Sequence, residues 1–142
     1  MIRLALSDFV AKLSAELDPG IRVGSVTERS YMQDAGRVWP AVWVGGQRAD
    51  ATDDGSRYTG VIRQRVRVLI AVRVVVPRAS PGVIDAETEL AELVADVNAA
   101  LLGWTPPSAQ LPLTLSTAAD ELTAESVCST LLQYQTQMTW QT

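Results

Sequence analysis

The chain has 142 residues, a net charge of −4, 47% hydrophobic and 20% charged residues, no histidine and a single cysteine. That length suits one domain over residues 1–142, able to bury roughly 70% of its unfolded surface. The acidic balance argues against a dedicated nucleic-acid binder, and the absence of histidine removes the commonest general base and metal ligand. Cys128 has no partner for an intramolecular disulfide, so the core must hold the fold.

In chain order, the N-terminal apolar run is interrupted by Asp8 and falls short of the about 7–15 residues of a secretory signal, so none is expected. Leu6, Phe9, Val10, Leu13 and Leu17 recur at helical spacing, predicting an amphipathic helix over roughly 3–17 that Asp18-Pro19-Gly20 stops. Ile21–Thr27 alternates as a short strand. A polar stretch follows, then a strand over Trp39–Val44 that starts at Pro40, with Gly45-Gly46 ending or bulging it. Arg48–Gly60 reads as a long polar hairpin loop, of a length that is usually functional or disordered.

Val61–Val76 is the most informative stretch. Val66, Val68, Ile70, Val72, Val74 and Val76 fall on one face of a strand; Arg63, Arg65, Arg67, Leu69, Ala71, Arg73 and Val75 fall on the other. After the breakers of Pro77–Val83, Leu90, Leu93, Val94, Val97 and Leu101 predict a helix over roughly 86–102. Asp85 is its N-cap, Glu87 and Glu89 lie in its first turn, and Gly103 is its left-handed C-cap. Leu111–Leu115 reads as an edge strand, and Ala118–Ser126 as a loop or a helical turn. Leu132, Tyr134, Met138 and Trp140 alternate with Gln133, Gln135, Gln137 and Gln141 in a terminal strand. The expected class is α+β: a mixed or mainly antiparallel sheet with a long central hairpin and two helices packed on one face.

No motif carries catalysis. Asp50, Asp53, Asp54 and Gly55 invite a calcium reading, but Thr52 and Val61 stand where an EF-hand needs a ligand and its Glu. Adjacent carboxylates such as Asp53–Asp54 or Asp120–Glu121 rarely converge on one substrate. Cys128 lacks a histidine or nearby cation to activate it, and Gly45-Gly46 lacks the lysine of a phosphate loop. No enzyme activity, cofactor or metal is therefore expected. The tryptophans read as core or interface anchors. The glutamine face is either an interface or an inert solvent face. Arg63, Arg65, Arg67 and Arg73 are either the solvent face of a half-exposed sheet, paired with cross-strand carboxylates, or, being more than solubility needs, a contact surface; without an aromatic platform that surface suits a protein partner better than single-stranded DNA.

The order of motifs resembles the phage tail terminator (tail-completion) family, in particular its Mu-like phage and prophage version. The resemblance runs through Pro40–Val44, Arg63–Val68, the helix from Asp85 ending in Ala100–Pro106, the leucine strand and the closing Leu132–Met138. Gln135 and Met138 stand where that family more often has an acidic residue and Phe. The resemblance implies a structural virion protein without catalytic residues. Such a protein forms a ring, typically a hexamer, on the head-proximal end of the tail tube. It ends tail polymerisation and offers a docking face to the head connector. Its implied partners are copies of itself, the tail tube or sheath protein and the connector, with genome DNA passing through the ring unread and no membrane contact. It would be assembled in the host bacterial cytoplasm and remain in the virion neck. Another neck component, a head-closure or head–tail joining protein, is the alternative. On this picture Asp50, Asp53, Asp54 and Arg57 at the hairpin tip, with Arg63, Arg65, Arg67 and Arg73, form the assembly interface.

Overall fold

The structure is a computed structural model that describes residues 3–27, 40–51, 56–58, 61–77, 85–121 and 127–141. Its elements run α1 (Leu6–Glu16), β1 (Arg22–Ser25), β2 (Ala41–Ala51), β3 (Ser56–Tyr58), β4 (Val61–Pro77), α2 (Ala86–Leu101), β5 (Thr114–Glu121) and β6 (Val127–Gln141). The sheet order is β1-β2-β4-β6-β5, and β3 pairs the start of β4. β1 runs parallel to β2 and the other pairs are antiparallel, so the sheet is mixed and the class is α+β.

β4 is the spine because it has a fully apolar face and 17 residues of pairing length. Val66, Val68, Ile70, Val72, Val74 and Val76 are all buried. They share one core with Leu132, Tyr134 and Met138 of β6, Phe9 and Leu13 of α1, and Leu90, Leu93, Val97 and Leu101 of α2. Both helices therefore cover the same sheet face. Each fully buried large aliphatic contributes roughly 1.5–3 kcal/mol. Phe9 meets Trp104 edge to face at 5.2 Å, closing the core beyond the end of α2.

Local signals place the second helix as expected. The Asp85 carboxylate accepts a hydrogen bond from the Glu87 N–H at 3.3 Å, and Glu87 and Glu89 sit in the positive first turn. Gly103 takes φ +81°, and its N–H bonds to the Leu113 carbonyl, turning the chain back. In β2 the register slips between Gly45 and Gln47, with Gly46 at φ +70°, so the glycine pair makes a bulge.

Three expectations change. The polar stretch after Gly46 is not one long loop: Arg48–Ala51 continue β2 and Ser56–Tyr58 form β3, while residues 52–55 lie outside those described. The long template of β4 pairs polar segments as readily as apolar ones, because backbone hydrogen bonds carry the ladder. The fifth strand starts at Thr114 and extends to Glu121, so Leu111 and Pro112 precede it and Ala118–Glu121 are extended. Pairing with Leu132–Ser129 overrides the weak strand propensity of Ala, Asp and Glu. Trp140, expected on the apolar face of β6, is exposed, because it lies past the reach of both helices. The bulge also turns Gln47 inward, where its side-chain amide accepts from the Leu4 N–H and donates to the Leu4 carbonyl, both at 2.8 Å. That tie anchors the segment leading into α1.

Candidate functional site: the sheet face opposite the helices

The face opposite the helices divides by register into three zones. At the β1 end, Ala41, Trp43 and Val75 form a second small core with Val26 and Val127. The Arg22 guanidinium lies 5.6 Å from the centre of the Trp43 ring. In the middle, Arg73 reaches across β6 to Glu121, with Nε–Oε1 at 2.8 Å and Nη2–Oε2 at 3.0 Å. The Ser129 hydroxyl adds a hydrogen bond to the same carboxylate at 3.1 Å. At the far end the face is polar, with Arg48, Asp50, Arg63, Arg65 and Arg67 on β2 and β4 beside Gln133, Gln135 and Gln137 on β6.

The alternation that put four arginines on one side of β4 is thus realised, but their surroundings differ. Arg63, Arg65 and Arg67 are exposed, whereas Arg73 is half-buried in a two-bond ion pair. Asp50 accepts from Arg48 at 2.9 Å and Arg67 at 3.4 Å, a surface cluster in which chiefly the Arg48 hydrogen bond holds its carboxyl below the ordinary range. Asp53 and Asp54 lie outside the described residues, and Arg57 is placed as backbone in β3. Sequence spacing alone could not have paired Arg73 with Glu121, 48 positions apart on strands separated by β6.

The Arg73 hydrogen bonds also hold the Glu121 carboxyl below its ordinary value of 4.5. A carboxylate whose folded pKa is depressed contributes stability above its unfolded pKa and loses it as pH falls through the folded one. Glu121→Gln is expected to remove about 1 kcal/mol at neutral pH, allowing for solvent screening of a partly exposed pair. That difference from wild type should begin to shrink as pH falls through the unfolded carboxylate value of about 4.3 and be gone once pH is below the depressed folded pKa. Urea denaturation at a series of pH values measures it.

Between the strands the polar zone has two shallow depressions. One, about 190 Å³, lies among Gly46, Arg48, Arg67, Leu69, Ser116 and Gln133; the other, about 200 Å³, lies beside Leu111, Thr114 and Gln135. The Thr117 hydroxyl donates to Gln133 at 3.0 Å, and Gln137 reaches Gln110 at 3.5 Å. These are patches of contact chemistry and bring no acid, base and nucleophile together. Asp120 and Glu121 diverge, Asp120 bonding to Thr130 at 2.8 Å and Glu121 to Arg73. The Tyr134 phenol pKa is pushed up by burial; its hydroxyl donates to Asn98 and ties β6 to α2. Among the described residues no helix is long and apolar enough to cross a membrane.

A family model described as "Phage tail terminator protein" matches residues 1–142 of the chain. No curated protein matches it.

Proposed function

Because the chain belongs to the phage tail terminator family and so has a structural role in phage tail assembly, we propose that it caps the head-proximal end of the tail tube as a ring. The ring, a hexamer in this reading, stops addition of tube subunits and presents its other side to the head connector. We place it with the Mu-like members of the family, on the succession of central hairpin, capped second helix, leucine strand and closing strand; Gln135 and Met138 in that last strand are its departure from the family pattern.

The observation that carries the reading is the polar, exposed end of the sheet face opposite the helices; the other end of that face, at Ala41, Trp43 and Val75, is buried. Both helices lie on one side, and the other side ends in exposed Arg63, Arg65 and Arg67 beside a row of neutral glutamines. A closed ring needs two different patches that meet repeatedly by rotation. A basic strand end on a chain of net charge −4 meets that need, since the rest of each subunit is its electrostatic complement. Asp50, with Asp53, Asp54 and Arg57 toward the hairpin tip, would extend the contact to a tube or sheath subunit. Arg73 would support the surface by bracing β4 to β5. An acidic protein also lets DNA slide through a ring without adhering, because few phosphates are neutralised. Assembly in the host cytoplasm and retention in the virion neck follow from that role.

Arg65→Glu combined with Arg67→Glu tests it. Both side chains are exposed, so the fold should remain within about 1 kcal/mol of wild type by urea denaturation. The oligomer seen by sedimentation, and the capping of tube protein in mixed assembly, should be lost. A wild-type chain that stays monomeric and leaves tube length unchanged would overturn the reading.

A further inference from the structure

On the helix side of the sheet, at the end away from Arg63 and Arg65, an open groove of about 690 Å³ runs between α2 and β5. Leu90, Val94, Ala118 and Cys128 line it, and the carboxylates of Glu87 and Asp120 stand beside them. Its outer wall, β5, is the last strand of the sheet. Seven of its eight residues are exposed, and it has no lysine or proline to discourage pairing. A register shift between Leu115 and Thr117 and the charges of Asp120 and Glu121 guard this edge against pairing with itself, yet an exposed edge of this length stays open to a strand of opposite charge.

We propose that this groove receives the basic end of the β3–β4 hairpin from a second copy of the chain, with Arg63 and Arg65 meeting Glu87 and Asp120. The inference rests on the ring reading and names its two complementary patches. Charge selects the occupant, since the acidic groove and the exposed arginines are opposite in sign on one chain. Geometry makes the contact intermolecular. Asp120 is level with Thr130 and, through it, Val74. Arg65 lies nine residues along β4 from Val74, about 30 Å at the usual rise per residue. One subunit cannot fill its own groove, and two unlike patches at opposite ends make the head-to-tail contact from which rings close. The incoming strand could also hydrogen-bond along the free edge of β5.

Cys128, the only cysteine, lines the groove and supplies the test. In Arg65→Cys protein, oxidation or a short bismaleimide should link copies into a ladder that continues past the dimer. Adding Cys128→Ser should stop the ladder at the dimer, because longer chains need two unlike thiols. Glu87→Lys with Asp120→Lys should weaken self-association at least about tenfold, and adding Arg63→Glu and Arg65→Glu should restore it. Ala118→Arg blocks the groove while removing no side-chain hydrogen bond, and circular dichroism checks that each variant folds. If the wild type forms a ring but Arg65→Cys protein gives no ladder, and self-association survives the blocked and reversed grooves, this inference is overturned while the ring reading stays intact. A wild type that is monomeric even with tube protein overturns both.

Discussion

Gly45→Ala lowers the unfolding free energy by roughly 2–4 kcal/mol, more than most overpacking substitutions. A Cβ at Gly45 would lie 1.9 Å from Val26 Cγ2 and 2.8 Å from Val26 Cβ and Cγ1. Val26 has little freedom to retreat: its N–H donates to the Val44 carbonyl at 2.9 Å, and its side chain packs on the Ala41–Trp43–Val75 cluster. The strain therefore passes into the parallel β1–β2 pair. Val26→Ala in the same chain removes the 1.9 Å contact and leaves the one at 2.8 Å, so it should rescue only part of the loss. Val26→Gly should rescue more of the clash while forfeiting the packing of the valine itself. A double-mutant cycle by urea denaturation reads the coupling, and additive effects of the two sites would show that the close approach does not exist in solution.

Leu13→Asp abolishes the folded state at neutral pH. Leu13 is fully buried between α1 and the sheet, and it belongs to the cluster that includes Val42, Val44 and the valines of β4. Removing a buried leucine side chain forfeits about 2–5 kcal/mol, and an uncompensated carboxyl adds the desolvation of a polar group, about 1–3 kcal/mol or more. The sum is comparable with the whole stability of an ordinary domain, about 5–15 kcal/mol. The pH dependence distinguishes the two contributions. Burial raises the folded pKa of the introduced carboxyl above its unfolded value near 3.9. The charge-related part of the penalty is therefore absent below the unfolded value, grows as pH rises from there to the folded pKa, and is constant above it. Leu13→Asn lacks this titration, so the two variants should converge in acid and separate toward neutrality. Equal stability of both variants at every pH would show that no charge is being buried.

Sequence patterns made some of the structure legible because period and burial are local consequences of one-sided packing. The alternation in β4 named the buried face residue by residue, from Val66 to Val76. The stripe from Leu90 to Leu101, with Asp85 and Gly103 as its stops, located α2 to within a residue. Where the pattern was weak, pairing decided. Arg48–Ala51 and Ala118–Glu121 look like loop, yet each is a strand because a neighbouring strand offers its hydrogen bonds. Tyr58 and its neighbours have short strand content of their own, and it is the overhang of β4 beyond β2 that gives them a partner.

The candidate site divides in the same way. That Arg63, Arg65, Arg67 and Arg73 share a face follows from period two, and no knowledge of the fold was required. That Arg73 is engaged by Glu121, whereas Arg63 and Arg65 stay exposed, depends on which strands flank β4 and how far they reach. The groove beside β5 could not be seen in sequence at all, because Glu87 and Asp120 become neighbours only when α2 packs across the sheet. What the residues alone determined is the amphipathic set: two helices, a two-faced central strand and a closing strand. What only the tertiary structure decided is strand order, the bulge that turns Gln47 inward, and which end of the face opposite the helices stays exposed, at Arg63, Arg65 and Arg67, and which is buried, at Ala41, Trp43 and Val75. Side-chain period is a property of a few neighbouring residues, whereas order and exposure depend on contacts between residues far apart in the chain.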